Sequence, residues 1–282
     1  MRLHAPAKLN LCLYLGPTRA DGLHELCSLF EPLALADLIA VEPAQRDEVL
    51  CPGVEGVNLA ARALAELRAA GWQRQPLKLT IEKRVPVAAG LGGGSGDAAA
   101  ILRLATGEVA GLAEIAARLG ADVPSQLRPA LALVGGAGEL VEPLPEPRPH
   151  AAVLLPDGGG LSTAEVFREA DRLGVGRSAA ELAELAARLR EVAGAGASPL
   201  AYPELLVNDL EAPARSLRPA IGDALDQLRA AGAPLAILSG SGPTAVGLFE
   251  DLAAAAAAAE RLGREDAIVC AAGAAPALEV AP

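Results

Sequence analysis

Apolar and polar residues alternate along Leu77-Lys-Leu-Thr-Ile-Glu-Lys-Arg84, with Leu77, Leu79 and Ile81 on one side and Lys78, Thr80 and Glu82 on the other. A period of two marks a half-buried strand. The period then changes. From Asp97 to Ala105 the residues Ala98, Ile101, Leu102 and Ala105 recur at helical spacing, and Leu112, Ile115, Ala116 and Leu119 repeat the pattern in a second helix. Asn58 is placed to cap another helix, with Leu59, Ala63, Leu67 and Ala70 on one stripe. Further along, Ala151 to Leu155 predicts a strand, and Ser178-Ala-Ala-Glu181 is a capping box opening a helix that carries Leu182, Leu185, Leu189 and Val192. Leu235–Leu238 and Ala245–Phe249 predict two short strands about a Ser-Gly-Ser-Gly-Pro turn; Asp251 starts an Ala-rich helix, and Asp266 to Ala271 supplies a last strand. Strands and helices interleave in both halves, which predicts α+β or α/β layers rather than a bundle.

The stretch Glu142-Pro-Leu-Pro-Glu-Pro-Arg-Pro-His150 holds four prolines in seven residues. Alternate prolines enforce extended backbone and are excluded from helices and central strands, so a connector is expected, with a domain boundary between residues 145 and 146. A long edge loop inside one domain is the alternative. The 282 residues suit two domains, here 1–145 and 146–282. Although 52% of the residues are hydrophobic, the aromatics are three Phe, two Tyr and one Trp, so the core must be aliphatic. Scarce rings and a net charge of −11 both argue against a nucleic-acid partner, which needs stacking faces and clustered Lys and Arg. No apolar run approaches the ~20 residues that span a bilayer, so no membrane partner is expected. Cys12, Cys27, Cys51 and Cys270 form no C-x-x-C pair and the chain opens without a signal-peptide apolar region, which predicts free thiols and a cytoplasmic protein. The three histidines, His4, His24 and His150, lack i, i+4 spacing, so no protein metal site is expected.

Chemistry concentrates in four segments. Gly90-Leu-Gly-Gly-Gly-Ser-Gly-Asp97 places five glycines in eight residues between a strand and a helix. There, backbone N–H groups and the positive helix end converge on an anion or phosphate, unless the segment is simply a flexible loop. It lacks the G-K-[ST] ending of a Walker loop, and a G-x-G-x-x-A match from Gly94 is a weak dinucleotide signal. A second glycine turn, Ser239-Gly-Ser-Gly-Pro-Thr244, reads equally as an ordinary hairpin turn. Asp122 in Gly120-Ala-Asp-Val-Pro124 is either a helix cap or a general base. Lys8, in the apolar strand Ala5-Pro-Ala-Lys-Leu-Asn-Leu11, is one of three lysines against 21 arginines. It is either an exposed-face residue or a compact ammonium that Arg would not replace.

Taken in order, these segments resemble the GHMP kinase superfamily, whose phosphate loop P-x-x-x-G-L-x-x-x-S stands here as Pro86-Val-Ala-Ala-Gly-Leu-Gly-Gly-Gly-Ser95. P-A-K-L-N-L, Arg19-Ala-Asp-Gly-Leu-His24, Ile81-Glu-Lys-Arg-Val-Pro86, G-A-D-V-P and S-G-S-G-P extend the likeness over nearly the whole chain. The resemblance implies an α+β two-domain GHMP kinase fold, with an N-terminal domain like the second domain of ribosomal S5, a ferredoxin-like C-terminal domain and a site between them. It implies ATP as co-substrate, Mg²⁺ bound through the ATP phosphates, and phosphoryl transfer to the tertiary C2 hydroxyl of a diphosphocytidyl methylerythritol. By it, Lys8 and Asp122 match the catalytic pair, Asp122 accepting or orienting the hydroxyl proton and Lys8 stabilising the transferred phosphoryl group. Asn58, Lys83, Pro86, Gly90, Leu91, Gly92, Gly93, Gly94, Ser95, Gly96 and Asp97 match the ATP side; Asn10, Leu23, His24, Thr163 and Phe167 match the acceptor side. Two residues depart from the pattern. Gly96 stands where a second Ser is usual, removing a hydroxyl from the phosphates, and Leu23 stands where an aromatic is usual, leaving Phe167 as the expected cytosine stack. The alternatives are a GHMP kinase for homoserine, mevalonate or a sugar, a ligand-binding relative without turnover, and, from the G-x-G-x-x-A match, a nucleotide-binding oxidoreductase.

Overall fold

In the computed structural model, which describes residues 1–280 apart from Glu55 and Val57, a long antiparallel hairpin organises everything that follows. Its arms are β1 (Arg2–Thr18) and β2 (His24–Pro43). β3 (Glu48–Leu50), α1 (Leu59–Ala69), β4 (Leu77–Glu82), α2 (Gly93–Arg103), α3 (Leu112–Leu119), the short α4 (Val123–Gln126), β5 (Ala132–Gly135) and β6 (Leu140–Pro143) complete the first half. The second half runs β7 (His150–Leu155), α5 (Thr163–Leu173), α6 (Ala179–Gly194), α7 (Glu211–Leu217), α8 (Ala220–Ala230), β8 (Leu235–Leu238), β9 (Ala245–Phe249), α9 (Leu252–Leu262), β10 (Ile268–Ala272) and β11 (Glu279–Val280). No helix among the described residues is long and apolar enough to cross a membrane.

β2 is long enough to serve several partners on one edge. It pairs with β4 over Leu38–Pro43, with β10 at Leu33 and with β5 over Ser28–Phe30. The main path is therefore β11-β1-β2-β10-β7-β9-β8, joining both halves in one sheet. α1, α2 and α3 cover the β1/β2/β4 region through Leu64, Leu67, Ile101, Leu102 and Ile115, while α5, α8 and α9 cover β7 and β9 through Val166, Leu225 and Ala255. A third apolar cluster spans the junction, bringing Leu9 and Leu29 together with Leu154, Leu189 and Leu248. Its large members are nearly all aliphatic, as the composition requires.

The capping signals work as chemistry dictates. Asn58 Oδ1 accepts from Ala60 N at 2.9 Å, Asp251 accepts from Ala254 N at 2.8 Å, and Ser178 and Glu181 close a reciprocal capping box. Two predicted boundaries move. α2 begins at Gly93, inside the glycine run, rather than at Asp97. Packing on β1 outweighs the poor helix propensity of glycine there, because only a residue without a side chain fits at position 96. The proline-rich connector is shorter than expected, since β6 takes Glu142 and Pro143 and β7 starts at His150. Pro143 is tolerated because β6 is an edge strand, paired only with β5.

Candidate active site

β4 delivers the chain into a loop, Lys83–Gly92, whose backbone is left-handed at Ala88 (φ 55°), Gly90 (74°) and Gly92 (68°). Two of these positions demand glycine on space as well as on φ. A Cβ on Gly90 would lie 2.7 Å from the Gly242 carbonyl oxygen, and one on Gly92 would lie 2.8 Å from Cγ of Lys8. Ala88 accepts the same region with a side chain, a local strain of about 1 kcal/mol of the kind stored at ligand loops. The loop and the first turn of α2 wall a cavity of about 360 Å³, lined by Cys51, Asn58, Lys83, Pro86, Asp97 and every residue from Gly90 to Ser95.

Gly96 does not line this cavity. A Cβ there would sit 2.7 Å from the Pro6 carbonyl oxygen, against the backbone of β1. The loss of a hydroxyl at this position therefore takes nothing from the cavity wall, and the glycine lets α2 approach β1. Gly96→Ser is expected to destabilise the fold by about 1–3 kcal/mol through overpacking, read as a lower urea midpoint. An unchanged midpoint would show that the contact relaxes freely.

On the other side of the loop, Lys8 and Asn10 sit two residues apart in β1 and so share a face. The β1–β2 register slips between Pro6 and Lys8 and again between Asn10 and Cys12, and such bulges re-aim side chains. Lys8 is buried to 5% exposure, its ammonium 3.3 Å from Asp122 Oδ2, hydrogen-bonded to Asn10 Oδ1 and 4.7 Å from the centre of the Phe30 ring. Asn10 Nδ2 donates to Ser28 Oγ at 3.1 Å, and Ser28 donates onward to the Cys12 carbonyl, which fixes the amide with its oxygen toward Lys8. Asp122 stands at the cap position of α4 but its side chain makes no capping bond; its carboxylate goes to Lys8 instead.

Lys8, Asn10, Asp122, Thr163 and Phe167 line a second cavity of about 180 Å³, which shares Gly90 and Gly92 with the first. Thr163 opens α5 and lies 2.9 Å from Ser241 Oγ. Phe167, one turn on, faces His24 with ring centroids 5.7 Å apart and tilted by 41°. His24 is held by the Gly16 carbonyl at 3.1 Å and by Asp171 at 3.1 Å. Leu23 is 55% exposed and lies outside the lining of both cavities. A larger groove of about 670 Å³, between the β1–β2 and β5–β6 turns and α6, is mainly apolar and contains none of the residues that carry chemistry.

Residue-level reading undervalues the turn between β8 and β9. Ser239 Oγ donates to the Gly90 carbonyl at 3.2 Å and accepts from Asn10 N at 3.3 Å, tying the second half to both the loop and β1. Asn208 Nδ2 holds that turn through the carbonyls of Leu238 (2.8 Å) and Gly240 (2.7 Å). Nothing in the local sequence around Asn208 announces this, since its partners lie thirty residues away. Asp37 is the other omission. Fully buried in β2, it accepts from Arg84 N at 2.6 Å and Val85 N at 2.8 Å, and it pairs with Lys83. Burial opposes the charge on Lys83, but Asp97 and Asp37 more than offset it and raise the pKa of the ammonium.

A strand-to-helix glycine loop beside a Lys–Asp pair whose ammonium is buried, in a chain folded around one hairpin, fits a small-molecule kinase. The family descriptions agree: "GHMP kinases N terminal domain" matches residues 58–128 and "GHMP kinases C terminal" matches residues 164–268. A 4-diphosphocytidyl-2-C-methyl-D-erythritol kinase from Anaeromyxobacter sp. (strain Fw109-5) is 40% identical over 281 residues, covering 94% of this chain and 88% of that protein. One from Streptomyces avermitilis is 38% identical, covering 92% and 91%. A crystal structure of 4-(cytidine 5'-diphospho)-2C-methyl-D-erythritol kinase superposes with TM-score 0.79 at 36% identity, over 97% of this chain and 100% of that one. Homoserine kinase from Cytophaga hutchinsonii, at TM-score 0.66 and 16% identity, shares the fold. The chain belongs to the 4-diphosphocytidyl-2-C-methyl-D-erythritol kinase family of GHMP kinases. It is a phosphotransferase with an alcohol acceptor, and membership implies ATP as co-substrate and a place in isoprenoid biosynthesis.

Proposed function

We propose that this chain transfers the γ-phosphoryl group of ATP to the C2 hydroxyl of 4-diphosphocytidyl-2-C-methyl-D-erythritol, with Asp122 and Lys8 as the catalytic pair. The observation that carries this reading is the Lys8–Asp122 contact, 3.3 Å long, facing a cavity that adjoins the glycine loop on one side and reaches Phe167 on the other. In this reading residues 1–145 supply the nucleotide site and residues 146–282 close the acceptor side. The triphosphate lies along Gly90–Ser95, where backbone N–H groups and the start of α2 favour negative charge. The acceptor hydroxyl lies against Asp122. As its oxygen bonds to the γ-phosphorus and the bond to the β,γ-bridging oxygen breaks, its proton passes to the Asp122 carboxylate and ADP leaves. Lys8 neutralises charge on the phosphoryl oxygens, and its bonds to Asn10 and Asp122 fix it in place. Such transfer depends mainly on positioning and charge stabilisation.

Mg²⁺ on the nucleotide phosphates would supply further neutralisation. Among the described residues no group of three or more His, Cys, Asp or Glu side chains is placed to hold a metal ion, and the carboxylates near the loop are committed to Lys83 and Lys8. A cytoplasmic location fits four free cysteines, three of them buried.

A coupled ADP-release assay with a panel of alcohols tests the reading: turnover with homoserine and none with the diphosphocytidyl acceptor would reject it. In this reading Phe167, which lines the second cavity, stacks on the cytosine ring, and base stacking on an aromatic contributes about 1–3 kcal/mol. Phe167→Ala is thus expected to raise KM for the cytidine-bearing acceptor about tenfold while leaving KM for ATP unchanged. Equal effects on both constants would make Phe167 a packing residue of α5.

A further inference from the structure

Lys83 in the loop after β4 and Asp97 in α2 line the nucleotide cavity, and Asp37 of β2 meets them just behind its wall. The Lys83 ammonium pairs with Asp97 Oδ2 at 2.8 Å and with Asp37 Oδ2, and the three side chains are only 14%, 6% and 0% exposed, respectively. With both carboxylates ionised the cluster carries one net negative charge, almost out of water, beside the place where the phosphate loop receives a polyanion. That arrangement is costly, because charge removed from solvent must be matched. The excess falls on Asp97, whose Oδ1 is buried and receives no hydrogen bond from any described group, while Lys83 holds only the other oxygen.

We propose that this cluster is a proton-binding site linked to the nucleotide: when ATP enters the cavity, a proton from solution is taken up on the Asp97 carboxyl. No covalent bond changes. The proposal rests on the assignment of this cavity to ATP. The other groups near Asp97 in the cavity wall are few: Cys51 beyond β3 is a thiol whose pKa is raised by burial and by Asp97, and α1 presents the uncharged Asn58. Burial pushes the Asp97 carboxyl up to about 7, with Asp37 adding to the rise and Lys83 opposing it. The rise brings this carboxyl closer to holding a proton at neutral pH than an ordinary Asp, and a polyanion alongside raises the occupancy further.

The sign follows from linkage. ATP favours the protonated cluster, so ATP affinity is full below the pKa of free Asp97 and falls as pH rises above it. Isothermal titration of the full chain with ATP and Mg²⁺, in buffers of different ionisation enthalpy, reads the uptake directly. Near neutral pH a net uptake of a fraction of a proton per ATP is expected, shrinking at lower pH where the free cluster is already protonated. In Asp97→Asn that uptake should vanish. In Asp37→Asn, which keeps an oxygen for the Arg84 and Val85 amides but removes the neighbouring charge, it should move to lower pH. Subtracting variant from wild type cancels the ionisation of ATP itself. Binding without buffer dependence in the wild type, or uptake undiminished in Asp97→Asn, would overturn the proposal while leaving the nucleotide site standing. Absence of ATP binding to the wild type would remove both. Should Asp97→Asn fail to fold, the shift in Asp37→Asn and the wild-type uptake still decide the matter.

Discussion

Asp122→Asn is expected to lower kcat by about a hundred- to ten-thousand-fold, with KM for both substrates within a few-fold of the wild type. Asparagine keeps the size of the side chain and an oxygen for Lys8 but will not accept the hydroxyl proton, so what is lost belongs to the transition state. The same substitution should cost folding far less than it costs kcat. The Asp122 side chain makes no capping bond in α4 and is 32% exposed, so no helix end depends on its charge, and the buried Lys8 ammonium keeps Asn10 and the new amide oxygen as partners. Steady-state kinetics beside a thermal melt therefore separates the roles. Wild-type turnover in this variant would reduce Asp122 to the residue that opens α4.

Lys8→Ala should cost kcat on the same scale, for a different reason. Lys8 is held by Asn10, Asp122 and the Phe30 ring at 5% exposure, so its ammonium is presented to the cavity in one place. Lys8→Arg is not expected to rescue it. The Cα of Gly92 approaches the Lys8 stem so closely that a Cβ would fall 2.8 Å from Cγ, which leaves little room for a planar guanidinium. Because the pair acts as a unit, the double variant Lys8→Ala/Asp122→Asn should be scarcely slower than either single variant. Multiplied losses would show that the two side chains serve separate steps.

Much of this was legible in the chain, and the reasons differ by residue. Leu77–Glu82 reads as a strand because alternation survives wherever one face is buried, and Asn58, Ser178 and Asp251 read as caps because capping is a contact between near neighbours. Gly90 and Gly92 announce a loop because only glycine occupies their conformation at no cost in strain. The start of α2 was misplaced for the converse reason: Gly93 to Gly96 have poor intrinsic propensity, and contact with β1 overrides it. The role of Gly96 was likewise invisible, since its neighbour Pro6 is ninety residues away in the chain.

By itself the sequence determined the alternation of elements, the aliphatic core, the glycine loop and, through ordered motifs, the class of chemistry. All of these are written in local spacing or residue type. Only the tertiary structure decided that Asp122 turns from α4 to Lys8, that Ser239 and Asn208 bring the second glycine turn onto the first, and that Asp37 joins Lys83 and Asp97. These contacts run between separate elements. They depend on how β2 holds β1, β4, β5 and β10 together, and on which side chains burial forces to pair, neither of which any local window of residues records.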